Sequence, residues 1–225
     1  MSFINTILNI IFPVNCLSCN KSSKDLCTEC IETFSDTEIT EIEDKNWIFP
    51  MFSYRNIIVK KSISLLKYKG KKRLAKIFAE LLYKKILEKL VILNSNLNSK
   101  EIEDFRNPIL IPIPLSPGRR RERGFNQTEL LCKEILKLDK INNLSSEKHV
   151  LTKPKNTEHQ ALITNKEKRL KNIIGTYSIK NAKKIKNRNI ILIDDVSTTG
   201  ATLSEAKKVL KLSGAKNIIA FTIAH

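Results

Sequence analysis

An α/β architecture, with a mostly parallel twisted sheet, helices on both faces and a small cysteine knuckle ahead of it, is predicted by three features of this 225-residue sequence. Beyond residue 107, strand-like and helix-like runs alternate, the pattern that builds a parallel sheet through crossover helices. Ile190-Ile191-Leu192-Ile193 is apolar at four consecutive positions, as a strand buried on both faces must be. Cys16-x2-Cys19 and Cys27-x2-Cys30 lie close together near the N-terminus. The length suffices for one α/β domain with an appendage. Boundaries fall at 1–45 for an N-terminal helix and knuckle and at 46–225 for the main domain.

Taken in order, Phe3, Ile4, Ile7, Leu8, Ile11 and Phe12 repeat at helical spacing. A packed helix explains them better than a membrane-surface foothold, because the polar side lacks Lys and Arg. The same segment has no basic leader and no small-residue cleavage site, so a cytoplasmic protein is expected. Doubled CxxC turns in a reducing compartment argue against disulfides and for a four-thiolate cage holding structural zinc through Cys16, Cys19, Cys27 and Cys30. Redox dithiol chemistry and incidental core cysteines are the competing readings. An acidic, weakly periodic stretch covers 32–44, an aromatic strand 47–54 and a helix 57–68. Leu74, Ile77, Phe78, Leu81, Leu82 and Ile86 mark a second amphipathic helix with lysines on its other side, and 94–100 reads as a polar linker.

The second half supplies a strand at 109–113, a loop at 115–124 with four arginines in five residues, and a helix at 126–138. Cys132 sits among Leu130, Leu131 and Ile135 as a buried helix cysteine. A polar loop to residue 148, a strand-like piece at 176–179, a strong strand at 189–193, a helix at 202–212 and a strand at 217–223 complete the order. Apolar residues make up 41% and charged residues 28% of the chain, which excludes a disordered chain or a membrane bundle. No run approaches the ~20 apolar residues that a helical span needs.

Formal charge is +17, an excess that suits a polyanionic partner. Ile-, Asn- and Lys-rich composition gives the same excess without one, so placed charge carries more weight than total charge. The most informative placement follows the doubly buried strand: Asp194-Asp195-Val196-Ser197-Thr198-Thr199-Gly200-Ala201-Thr202. Carboxylates emerging at a strand's carboxyl end lie where open α/β sheets bind ligands. Hydroxyls and free N–H groups at a helix start make a monophosphate cradle. A ribose 5-phosphate fits both halves. The glycines stand at Gly70, Gly118, Gly124, Gly175, Gly200 and Gly214, and no set of them supports a GxGxxG or GxxxxGK[ST] loop, so ordinary dehydrogenase and P-loop readings fail.

Residues 190–202 resemble the phosphoribosyl-diphosphate (PRPP) motif of type I phosphoribosyltransferases. More of the chain is similar to one branch, the ComF (ComF/GntX) family: Phe12-Pro13 before the knuckle, Leu66-Lys67-Tyr68-Lys69-Gly70, and Ile111-Pro112-Ile113-Pro114 leading into Arg119-Arg120-Arg121-Glu122-Arg123-Gly124-Phe125-Asn126-Gln127. Lys153-x-Lys155-x-Thr157-x-x-Gln160 and Arg169-x-x-Asn172 complete the set.

The resemblance implies that Asp194 and Asp195 hold ribose hydroxyls directly or through Mg²⁺, and that Val196 to Thr202 hold the 5-phosphate. It places a hood at about 46–100 and the core at about 107–225. Leu115, Ser116, Arg119, Arg120, Arg121 and Arg123 are expected at the diphosphate, or on a nucleic-acid backbone. His149, His159 and His225 form no triad. The implied function is a PRPP-binding protein that assists DNA uptake in natural transformation, at the cytoplasmic side of the inner membrane, with single-stranded DNA and uptake proteins as partners, and that can transfer a phosphoribosyl group to an acceptor. The alternative is a non-catalytic zinc scaffold or single-stranded DNA-binding protein.

Overall fold

Five strands join side by side in the order Ile48–Phe52, Ile218–Ala224, Ile190–Val196, Ile109–Pro112 and Ser145–Ser146, every neighbouring pair parallel. The computed structural model that shows this describes residues 14–22, 24–34, 45–95, 105–154 and 175–225. Within them the chain runs α1 (Thr28–Phe34), β1 (Ile48–Phe52), α2 (Ile57–Tyr68), α3 (Arg73–Ser95), β2 (Ile109–Pro112), α4 (Pro117–Arg123), α5 (Gln127–Leu138), β3 (Ser145–Ser146), β4 (Leu151–Thr152), β5 (Ser178–Ile179), β6 (Ile190–Val196), α6 (Ala201–Leu212) and β7 (Ile218–Ala224). The expected helix over 3–12, the Phe12-Pro13 pair, residues 35–44 of the acidic stretch, 96–100 of the linker, and Lys155, Thr157, His159, Gln160, Arg169 and Asn172 lie outside the described residues.

The apolar run in β6 is buried on both sides because alternate side chains point to opposite faces. Ile191 and Ile193 meet Ile219, Phe221 and Ile223 of β7 and the undersides of α2, α3 and α5, through Ile63, Leu66, Phe78, Leu82, Leu131 and Ile135. Ile190 and Leu192 face the other way, onto Leu203, Ala206 and Leu210 of α6 and onto Val150, Leu151 and Tyr177. Helices thus cover both faces, as expected. Leu26 and Phe34 from the knuckle region join the first cluster, and the Phe34 ring meets Phe52 edge-on at 5.9 Å.

Three stretches differ from the sequence reading. Residues expected as an arginine loop form α4, whose start has the form helices prefer, Ser116 at the N-cap and Pro117 inside the first turn, and whose end is Gly124 in the left-handed conformation (φ 73°). The strand expected at 189–193 continues through the acidic pair to Val196, held by the register Asp194↔Thr222 and Val196↔Ala224. The piece at 176–179 is a strand only over Ser178–Ile179, and it pairs antiparallel with β4 in a separate two-stranded ribbon.

Strand order fixes where a ligand fits. From β2 the chain moves outward to β3, whereas β6 returns to the other side of β2 and leads on to β7. Successive crossovers diverge there, and the carboxyl ends of β2 and β6 leave a crevice between them.

Candidate functional site

The four knuckle cysteines converge: their sulfur atoms all lie within 4.8 Å of one another, and Cys19 and Cys27 Sγ are 3.7 Å apart. Tetrahedral thiolates around zinc at ~2.3 Å stand ~3.8 Å from one another, so the donor set and spacing fit that ion. Burial works to raise the Cys16 thiol, but N–H groups of Cys19, Cys27 and Ser18 outweigh it and bring it down to about 6, which favours the thiolate a metal needs. Cys27 N–H donates to Cys16 Sγ at 3.4 Å. Four protein thiolates leave no open coordination position, so this centre holds structure. It reaches the main body through Asp25, whose carbonyl accepts from Leu17 N–H and whose carboxylate pairs with Lys71 Nζ at 3.3 Å. Cys132 lies apart and buried in α5, where burial pushes its thiol up.

At the β2/β6 crevice a cleft of about 410 Å³ opens. Ile113, Pro114, Leu115 and Ser116 continue β2 along one wall, and Asp194, Asp195 and Val196 end β6 beside them. The segment after α4 builds this corner. Asn126 caps α5 by accepting from Thr128 N–H at 3.1 Å, while its amide donates to the Ile113 carbonyl at 3.1 Å. Thr128 Oγ1 donates to the same carbonyl at 2.8 Å. One carbonyl at the end of β2 is therefore pinned twice to the start of α5. Gln127, the first residue of α5, is thereby brought to the acidic pair.

The two carboxylates differ in their surroundings. Asp195 is 4% exposed, pairs with Lys67 Nζ at 2.7 Å through Oδ1, and accepts from the Gln127 amide through Oδ2. Asp194 accepts from Asp195 N–H at 2.8 Å through Oδ1. Burial, and then the charge of Asp195, raise its carboxyl from the ordinary range to about 7. The magnesium expected from the resemblance needs free carboxylate oxygens. Both Asp195 oxygens are engaged by protein donors and one Asp194 oxygen holds a backbone N–H, so the pair as arranged does not fit a divalent ion held by both carboxylates. No chemical step is assigned to one.

Of the phosphate-loop residues, Val196, Thr198 and Thr202 line the cleft with the acidic pair. Ser197 is buried behind it, and its Oγ has no hydrogen-bond partner among the described residues. The Ser197 carbonyl meets His225 Nδ1 at 2.7 Å, which ties the loop to the end of β7. Thr199 Oγ1 accepts from Ala201 N–H at 3.4 Å, and its carbonyl accepts from Lys45 Nζ. Gly200 caps α6 in the left-handed conformation (φ 66°) and offers no side chain to its first-turn N–H groups. A Cβ there would stand 2.6 Å from Lys45 Cδ. Gly200→Ala should cost about 1–2 kcal/mol from the left-handed backbone alone. Urea unfolding measures that, and unchanged stability would contradict the turn.

Helical geometry divides the arginines. Arg119 and Arg123, one turn apart, line the cleft with Leu115 and Ser116. Arg120 turns away and grips Glu129 with its two terminal guanidinium nitrogens, at 2.5 and 3.2 Å. Arg121 is exposed and is not part of the cleft lining. Arg123 donates to Gln127 Oε1 and to Tyr68 Oη, each at 3.1 Å, while its buried Nε has no partner among the described residues.

Cleft residues for which the sequence suggests no role are Lys67, Tyr68, Gln127 and Lys153, which belong to the family-like motifs, together with Tyr54, Lys60 and Tyr177. Lys153 is 8% exposed, with Nζ 5.4 Å from the Tyr177 ring centre. Burial, reinforced by Arg119, lowers its ammonium to about 8 against the pull of Asp194. Five cations, Lys60, Lys67, Arg119, Arg123 and Lys153, thus face two carboxylates across the cleft.

The family described as "Phosphoribosyl transferase domain" matches residues 140–225. Competence protein ComFC of Streptococcus pneumoniae is 32% identical over 178 residues, which are 78% of this chain and 66% of that protein. Competence protein ComFC of Bacillus subtilis is 40% identical over 116 residues, 51% of this chain and 43% of that protein. The chain therefore spans less than two thirds of the length of these curated relatives, between 43% and 66%. Among solved structures, a hypoxanthine phosphoribosyltransferase from Staphylococcus aureus aligns over 66% of this chain and 61% of its own, at 15% identity and a TM-score of 0.36.

Proposed function

The chain belongs to the ComF family of the type I phosphoribosyltransferase superfamily, and from that premise we propose that its cleft binds PRPP. The observation that carries this reading is the meeting, in one cleft at the ends of β2 and β6, of two carboxylates, a hydroxyl-rich turn at a helix start, and Arg119, Arg123 and Lys153. The 5-phosphate sits at Thr198 and Thr202 under the amino end of α6, where N–H groups and the helix dipole favour an anion. Asp194 faces the ribose hydroxyls. The diphosphate lies along α4 and Lys153, where a guanidinium grips phosphate oxygens with two donors.

The same arrangement suits transfer of the phosphoribosyl group. As diphosphate leaves, the sugar gains positive charge beside the carboxylates and the leaving group gains negative charge beside the cations, so both ends of the transition state are stabilised. An acceptor nucleophile forms the new bond to the anomeric carbon, and the electron pair of the broken bond departs with diphosphate. No protein nucleophile is needed.

The Streptococcus pneumoniae and Bacillus subtilis relatives are named competence proteins. We place the chain in the same process, assisting DNA uptake from the cytoplasmic side, with zinc in the cysteine cage as a structural ion. Its partners on this reading are PRPP, the uptake machinery and the single strand delivered.

Calorimetric titration of the full chain with PRPP tests the site. Saturable binding is expected, and Arg119→Ala should weaken it about 10- to 100-fold, because a hydrogen bond to a charged group contributes about 1.5–3 kcal/mol. Failure of the wild-type chain to bind PRPP overturns the reading.

A further inference from the structure

Asp195 already holds a cation. Lys67 comes from the last turn of α2, where the negative end of the helix dipole favours an ammonium. Its Nζ stands 2.7 Å from Asp195 Oδ1, with the two side chains only 17% and 6% exposed. Neither charge is well hydrated, so each would be costly without the other. The opposite face of the carboxylate is closed by the Gln127 amide. Lys67 also lines the cleft together with Asp194, Thr198, Thr202 and Arg119. An ammonium carries three donors and Asp195 engages one direction of it, so it can bond to ligand oxygens on its cleft side.

In an acidic-pair site, a positive charge between the carboxylates and the ligand's oxygens relieves their mutual repulsion. Here the one carboxylate with two engaged oxygens is neutralised by a side chain of the protein itself. Resting on the PRPP reading above, we infer that Lys67 is the resident counter-cation of this site: its ammonium, seated on Asp195, takes the place of a protein-bound divalent ion, so that PRPP binds without a requirement for magnesium. The helix bearing it ends in the turn that Lys71 and Asp25 tie to the cysteine knuckle, which fixes where the ammonium stands. Lys67 is thus a binding and positioning residue drawn from a helix remote in sequence from the PRPP motif.

The test is calorimetry with PRPP on the wild-type chain, Lys67→Met and Lys67→Arg, each with millimolar Mg²⁺ and in buffer freed of divalent ions by resin. No soluble chelator is added, so the cysteine cage keeps its metal. The wild-type Kd is expected to change by less than about tenfold, 1.4 kcal/mol, between the two media. Lys67→Met should lose more than about tenfold in the magnesium-free buffer and recover part of that loss with Mg²⁺, because an external ion then fills the vacated charge. Lys67→Arg should retain magnesium-free binding, since it keeps the cation. Loss of wild-type binding on magnesium removal overturns the inference and leaves the PRPP site standing. So does equal magnesium-free affinity of wild type and Lys67→Met. Absence of binding in both media overturns the PRPP reading itself, and this inference with it.

Discussion

Purified wild-type protein is expected to carry about one zinc per chain, and Cys16→Ser to lose it together with much of the stability of the N-terminal region. Structural zinc sites gain their binding energy as folding energy, and removing one of four thiolates forfeits both. The loss spreads beyond the knuckle. Leu26 and Phe34 pack into the same apolar cluster as α2 and α3, and Asp25 holds Lys71 at the turn between those helices. A decrease of several kcal/mol shifts the melting temperature of a chain this size by roughly 10 °C, at about 2–4 °C per kcal/mol. Cys132→Ser provides the contrast: it replaces a buried thiol that is not one of the four converging cysteines, so metal content stays and melting falls by only a few degrees. Metal analysis and thermal melts of the two variants decide the matter. Equal metal content and equal melting would remove the cage from the account.

Asp194→Asn should lose PRPP affinity about 10- to 100-fold, yet stabilise the protein at pH 8. The sign follows from the carboxyl's environment. Burial, and then the neighbouring Asp195 charge, raise it from 3.8 to about 7 in the folded chain. Well below the ordinary value of 3.8 both folded and unfolded forms are protonated and the group makes no difference. Between about 4 and 7 the folded state binds more protons than the unfolded one, so stability falls as pH rises. Above 7 the full penalty is present, on the order of a few kcal/mol. Asn removes the charge while retaining an acceptor for Asp195 N–H. The variant should therefore unfold at higher urea than wild type at pH 8, with the advantage shrinking toward pH 4. A variant less stable than wild type at pH 8 would show that Asp194 is not held against its ionised form. Such a gain of stability with loss of binding is what a carboxylate placed for ligand recognition leads one to expect.

Much of this site could be read along the chain, because its central segment is contiguous. Asp194 to Thr202 follow one strand and start one helix, so acidic pair, hydroxyls and cradle all announce themselves within nine residues. The arginines were visible as residue types but not as a geometry. Reading Ser116-Pro117 as a helix start would have split Arg119 and Arg123 from Arg120 and Arg121, since residues four apart share a helix face. The short β3 and β4 leave no mark in the sequence because two residues carry no periodicity.

Periodicity and cysteine spacing act over a few neighbouring residues. They were enough to set α2 at Ile57–Tyr68, a helix at about 126–138 that the structure starts one residue later as α5, the doubly buried β6 and the four-thiol knuckle. Which charges face one another was decided only in three dimensions. Lys67 and Gln127 reach Asp195 from two different helices, Lys45 reaches the Thr199 carbonyl from 154 residues away, and Lys153 turns toward Tyr177. Those meetings depend on how α2 and α5 pack against the apolar face of β6 and β7 and on β2 lying beside β6. A distance created by packing remote elements leaves no repeat in the local sequence, and here such distances decide that one carboxylate of the pair comes with its own cation.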